Sequence, residues 1–327
     1  MRHSILALVA LLASAPLLRA QNLHVNDGSD DPPKLWIAIN VWGLEGLPAG
    51  QTEWSLDEKL RRLSQAGGFD VVDRYTVADT SSEPAVEEIV GLAKKHGFRV
   101  GMATSIDRLE QLDVAISPAR KAGTPYVDVM TGPYTMPEAD AIRLIRAISD
   151  RFRAEKIALA LQTHRGLVTQ DLLRTVEYTR AVPELRFDLD LSHYFVAGEF
   201  GGDLTAEARG TFEAILARAV MLDGRVSNGE QVQIDIGPAG DNPHARRFAD
   251  LWKKVMVSWL ERAKPGDVLP FRVELGPPSY AILDREGREI SDRWAQTLVI
   301  RAMAERLFNE AVKETGAGLP HRGAAAP

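Results

Sequence analysis

The sequence predicts an α/β chain folded as a single (β/α)8 TIM barrel over residues 34–315, on three observations. Short apolar runs alternate with helix-period segments along the whole span, which implies a parallel sheet. Glycines stand where each early helix should close, at Gly67-Gly68, Gly97 and Gly123, and glycine accepts the left-handed conformation a helix end requires. No Gly-rich phosphate loop follows any strand, and eight repeats without one favour a closed barrel over a doubly wound sheet. A barrel of this type takes roughly 250 residues, which the chain supplies once its ends are removed.

The elements follow in order. Strands are expected at Leu35–Ile39, Val71–Asp73, Arg99–Ala103, Tyr126–Met130, Ile157–Leu161, Arg186–Leu189, Ala219–Leu222 and Phe271–Val273. The helix from Leu56 opens on a capping box, Ser55 with Glu58 three residues on. The segment Ser227 to His244 reads as a long βα loop, and the last helix as Ser291 to Glu314. Residues 1–20 have a basic start, an apolar run from Ile5 to Leu18 and a small residue at Ala20, the layout of a signal peptide cleaved after Ala20. The expected address is therefore the periplasm or the exterior. Residues 21–33 read as a linker and 316–327 as a disordered tail. No later segment reaches the ~20 apolar residues of a membrane span.

Composition narrows the function. The chain of 327 residues carries a formal net charge of -6, with its basic residues scattered, so nothing in it attracts nucleic acid. It has no cysteine, hence no disulfide and no thiolate metal ligand.

Three predicted strands end in polar clusters. They are Leu159 to Gly166 (LALQTHRG), Arg186 to His193 (RFDLDLSH) and Phe271 to Tyr280 (FRVELGPPSY). A parallel barrel brings all its strand C-termini to one face, so these clusters should meet in one site. Carboxylates gathered there are expensive to bury without a cation.

With these motifs in place, the chain resembles the xylose-isomerase-like barrels of the sugar isomerase/epimerase superfamily over about residues 34 to 310. The resemblance implies a carboxylate after the fifth strand, where Gln162 stands. It implies Asp-x-x-His after the sixth, here Asp190-Leu191-Ser192-His193, and a Glu after the eighth, here Glu274. The metal ligands so implied are Gln162, Asp190 and Glu274, with Gln233 or Asp223 supplying the seventh-strand ligand where the family has a histidine that this chain lacks. Asp188 shares strand parity with Asp190 and is a rival ligand. One divalent ion, Mg²⁺ or Mn²⁺, is expected, because oxygen donors suit hard cations. Glu274, His193 and His164 are the expected catalytic groups. Arg165, Arg225, Trp42 and Asn40 are expected to bind substrate, with Tyr280 beside Trp42 offering an aromatic face to a sugar ring.

The expected function is an exported, metal-dependent isomerase or epimerase acting on a non-phosphorylated sugar or sugar derivative. A lyase or hydrolase on the same barrel is the alternative, as is a carbohydrate-binding barrel with a degraded site. Gln162 cannot take a proton, which argues against a two-base epimerisation. The sequence leaves the oligomeric state open.

Overall fold

Eight parallel strands close on themselves in sequence order. The computed structural model of the protein describes residues 24–76, 83–202 and 204–317. The expected signal peptide and the tail from residue 318 lie outside them. The strands are β1 Lys34–Asn40, β2 Val71–Thr76, β3 Arg99–Ser105, β4 Val127–Met130, β5 Leu159–Gln162, β6 Phe187–Leu189, β7 Ala219–Gly224 and β8 Val268–Val273. The helices are α1 Leu56–Ala66, α2 Glu83–His96, α3 Leu112–Ala122, α4 Glu138–Glu155, α5 Leu172–Ala181, α6 Leu191–Ala197, α7 Ala206–Leu216, α8 Pro243–Leu260 and α9 Arg293–Thr315. β1 pairs with both β2 and β8, which closes the ring. No described helix is long and apolar enough to cross a membrane.

Strand alternation divides the interior into two cores. Odd-facing residues such as Ile37, Ile39, Val72, Val129, Leu161, Leu189, Leu222 and Phe271 pack outward against the helices. Each such side chain contributes about 1.5–3 kcal/mol on burial. The opposite face points into the barrel. There Trp36, Ala38, Val71, Tyr126, Ala158, Ala160, Met221 and Val268 fill the end where the strands begin. Val25 belongs to this inner cluster, and Val268 donates its backbone N–H to Val25. Residues 24–33, expected as linker, are thus seated across the bottom of the barrel, where Asp267 bonds both His24 and Asn26.

The helix ends follow the sequence closely. Gly67, Gly97 and Gly123 all have positive φ. Ser55 Oγ accepts the Glu58 N–H at 3.3 Å, as a capping box requires. The reciprocal half does not form, because the Glu58 carboxylate pairs with Arg61 and Arg62. β8 begins three residues earlier than the sequence suggests. Pro270, which reads as punctuation, lies within that strand opposite Trp36.

Candidate active site

The mouth of the barrel is built where the strands end. Asn40 closes β1 and Gln162 closes β5; Asp190, Arg225 and Glu274 each lie just past β6, β7 and β8. One step deeper, on the same inward parity, lie Asp73, Asp128, Asp188, Asp223 and Arg272. All of these are buried.

Arg272 organises the deeper layer. Its Nε and Nη2 grip Asp223 at 2.6 and 2.7 Å, a bidentate pair. Nη2 also reaches Asp188 at 2.8 Å, and Nη1 reaches Asp128 at 2.9 Å and Asp73 at 3.4 Å. One guanidinium cannot hold four ionised aspartates out of water. Burial, offset only partly by Arg272, pushes Asp73 up to about 6 and Asp128 up to about 7. Burial, reinforced by neighbouring carboxylates, pushes Asp188 and Asp223 well above the usual carboxylate range. Gly101 on β3 makes room for this layer. A Cβ there would lie 2.0 Å from Asp73 Oδ1 and 2.8 Å from Tyr126 Oη, which donates to Asp73.

The raised aspartates predict a pH effect. Folded, they hold protons that the unfolded chain releases near its ordinary carboxylate pKa of about 4. The contribution of Asp73 and Asp128 to stability is therefore complete below about pH 4 and is lost as pH rises through about 6 and about 7 respectively. Neutral His164 and His193 act in the opposite direction at acid pH, so a single variant must isolate the term. Asp128→Asn should lose less stability than the parent between about pH 5 and 8 in denaturant titrations. Parallel stability curves for the two proteins would count against a protonatable Asp128.

The upper layer is organised by Arg225, which is 1% exposed. Its Nε donates to the Glu274 carbonyl at 2.9 Å, Nη1 to Asp190 Oδ2 at 2.7 Å, and Nη2 to Glu274 Oε2 at 2.9 Å. Asn40 holds the other Glu274 oxygen at 3.2 Å, while its own Oδ1 caps the turn at Trp42. Burial would raise the Glu274 carboxyl, but Arg272 and Arg225 outweigh it and hold it below its ordinary range. Asp190 is held low in the same way: burial opposes ionisation, and Arg225 overcomes it. Asp190 also caps α6, its Oδ1 accepting the Ser192 backbone N–H.

The site opens into a cavity of about 200 Å³ lined by Asn40, Trp42, Asp128, Gln162, His164, Arg225, Glu274 and Tyr280, with Ala103 and Met130. A larger groove of about 300 Å³ lies among α5, α6 and α7, but none of the strand-end groups reaches it. Trp42 and Tyr280 meet edge to face at 5.3 Å, and Arg225 and Arg165 both stack on Tyr280, at 4.8 and 5.3 Å. Gly276 leaves the space that this pair fills. His164 bonds the Arg165 carbonyl through Nδ1, which leaves Nε2 to accept from Tyr280 Oη at 3.3 Å. Burial, with His193 close by, pushes His164 down to about 3. Burial also lowers His193, which stacks on His164 at 3.8 Å.

Most of the expected site residues come together here. Gln162, His164, Asn40, Trp42, Arg225 and Glu274 all face the cavity. His193 stands behind it, 1% exposed, with its Nε2 3.1 Å from Arg225 and 3.3 Å from Asp190. Arg165 reaches the site through Tyr280. Gln233 does not join the carboxylates: both ends of its amide are spent on the Gly276 backbone, at 2.7 and 3.2 Å. Asp223 takes that place, and Asp188 is held by Arg272. The sequence reading missed Asp73, Asp128 and Arg272. Their signal was present, since four apolar strands carry one aspartate each at inward parity and β8 carries one arginine.

Asp190, Asp223 and Glu274 offer oxygens within 4.8 Å of one another, a buried group of the kind that can hold a metal ion. Buried Gln162 Oε1 lines the same cavity without a hydrogen-bond partner. Such oxygen donors suit a hard cation. Their occupancy does not. Arg225 takes Asp190 Oδ2 and Glu274 Oε2, Ser192 takes Asp190 Oδ1, and Asn40 takes Glu274 Oε1. Arg272 and Gln162 take both Asp223 oxygens. As arranged, the side chains fit the guanidinium and not an ion beside it.

Solved structures give the fold independent support. A xylose isomerase-like TIM barrel protein from Mycobacterium smegmatis, in complex with magnesium, superposes with a TM-score of 0.55 at 16% identity, covering 84% of this chain and 97% of its own. L-ribulose 3-epimerase gives 0.54 at 13% identity, covering 88% and 99%. A probable 3-DHS dehydratase involved in petrobactin synthesis, from Bacillus anthracis, gives 0.52 at 12% identity, covering 83% and 98%. At these identities the likeness is one of fold, the (β/α)8 barrel that these proteins share. No family model matches the sequence, and no curated protein matches it.

Proposed function

We propose that the protein is an enzyme of the sugar isomerase and epimerase kind, acting on a small, non-phosphorylated polyhydroxy carbonyl compound at the barrel mouth. The observation that carries this reading is Glu274, a carboxylate facing the cavity and kept ionised by Arg225 and Arg272. An ionised carboxylate in a confined site can remove the proton beside a carbonyl. The C–H electrons then form the enediol double bond, and the carbonyl oxygen takes up the negative charge. That oxygen gains a proton as the neighbouring hydroxyl gives one up and becomes the new carbonyl, and return of the abstracted proton from Glu274 to the former carbonyl carbon completes an isomerisation with one carbon base. Gln162 can hold a substrate hydroxyl through its unpartnered Oε1 but cannot take a proton. Asp128, poised near 7 on the cavity wall, is better suited to deliver a proton at neutral pH than His164, which is pushed down to about 3. His164 and Tyr280 suit hydroxyl recognition, and Trp42 offers a face to a sugar ring.

Export directed by residues 1–20 belongs to this proposal and would place the substrate outside the cytoplasm. A Mg²⁺- or Mn²⁺-dependent form of the reaction requires Arg225 to leave both Asp190 and Glu274.

The test is a panel of free pentoses, hexoses and their ketose partners incubated with the protein in heavy water. Deuterium entering the carbon beside the carbonyl of at least one sugar, with its isomer formed, is the expected result. Binding without exchange would make the chain a carbohydrate-binding barrel instead. Neither binding nor exchange across the panel would remove the sugar reading.

A further inference from the structure

We propose that Arg225 is the resident cation of this site: its guanidinium permanently fills the place between Asp190 and Glu274 that a divalent ion would need, and the protein works without a metal there. Two carboxylates buried this close together, Asp190 and Glu274, demand a positive charge between them. Arg225 supplies it with a geometry that leaves little freedom. Its Nε is fixed to the Glu274 backbone at 2.9 Å, its two terminal nitrogens reach one carboxylate each, and its plane lies over the Tyr280 ring at 4.8 Å. His193 Nε2, at 3.1 Å, accepts from the same Nη1.

The surrounding residues agree. Each ligand oxygen of the Asp190, Asp223 and Glu274 group already accepts an N–H or O–H from the chain. Gln162, on the strand beside β6, presents an amide oxygen rather than a further negative charge. Arginine stays charged at every pH a protein survives, so the site's positive charge does not depend on ion supply.

The arrangement also has a use. Arg225 lines the cavity, and the four contacts named above occupy four of the five N–H groups that a guanidinium carries. That leaves one N–H, on Nη2, free to meet a substrate oxygen as negative charge develops on it, which would be electrostatic stabilisation by a preset donor. This deepens the carbonyl reading and rests on it for the substrate alone; the cation site can be tested without any sugar.

The experiment uses the full chain, stripped with chelator and titrated with Mn²⁺ alone. Bound ion is followed by electron paramagnetic resonance, and melting is measured with Mn²⁺, with Mg²⁺ and with chelator. Wild-type protein should take up no stoichiometric Mn²⁺ in the micromolar range, and its melting temperature should not respond to ion or chelator. Arg225→Gln frees both carboxylates and should gain one Mn²⁺, with melting raised by the ion. One equivalent of tightly held Mn²⁺ on the wild type would overturn the proposal, whether or not the variant folds. A folded Arg225→Gln protein that binds no Mn²⁺ would also count against it, because the carboxylates would then not form a cation site. A blank sugar panel leaves these outcomes untouched and counts only against the substrate reading.

Discussion

Arg272→Met is expected to cost the protein about 3–5 kcal/mol or more, enough to unfold many domains. Arg272 is the only basic side chain that bonds Asp73, Asp128, Asp188 and Asp223 among the described residues, and all five side chains are at most 1% exposed. Methionine matches much of the arginine stem but leaves four buried aspartates without a cation. Their one remaining route to neutrality is protonation, so their pKa values should climb further. The variant should then recover stability as pH falls toward 5, the opposite of ordinary acid denaturation. Denaturant midpoints at two pH values check both parts. A loss below about 1 kcal/mol at neutral pH would show that the aspartates are already neutral in the parent and that Arg272 is replaceable.

Glu274→Gln should lower turnover by about 10²–10⁴-fold, the range general-base catalysis supplies. The amide keeps the shape of the side chain and can still accept from Arg225, but it cannot receive the substrate proton. The loss should appear in kcat more than in KM, because a base acts on the transition state. Deuterium exchange from heavy water should fall in parallel, while melting should change far less than in Arg272→Met. Full exchange by Glu274→Gln would remove Glu274 as the base and move attention to Asp128 on the opposite wall.

The strands, the glycine helix ends and the convergence of Gln162, Asp190 and Glu274 were legible in the sequence because each rests on local pattern. Alternation marks a strand, and parallel strands share one end. The Arg272 cluster was not legible in the same way. A strand such as Val127–Met130 shows one aspartate among apolar residues, and alternation alone reads the polar face as turned to solvent. In a closed barrel that face is a second interior, and only the assembled ring reveals that four such aspartates meet one arginine. Gln233 shows the converse. The missing seventh-strand histidine made it a ligand candidate, yet its amide bonds peptide groups at Gly276. Arg225 fell between these cases: its position was visible, but not that it would take the oxygens expected for a metal.

The cluster around Arg272 also bears on how the chain can reach its fold. Its aspartates come from β2, β4, β6 and β7, and they lie 199, 144, 84 and 49 residues from the arginine that serves them. Acidic groups are thus distributed through the early and middle strands, while their counter-charge arrives only with the last. A half-barrel assembled from the first four strands would enclose Asp73 and Asp128 without the cation that serves both, leaving Asp73 only the Tyr126 hydroxyl. Closure of such a ring is all-or-none: loop entropy for the longest separations is spent before the central arginine can return anything, as in other folds dominated by distant contacts. The C-terminal strand is the keystone of the ring, and the two halves of this barrel are poor candidates for independent folding units.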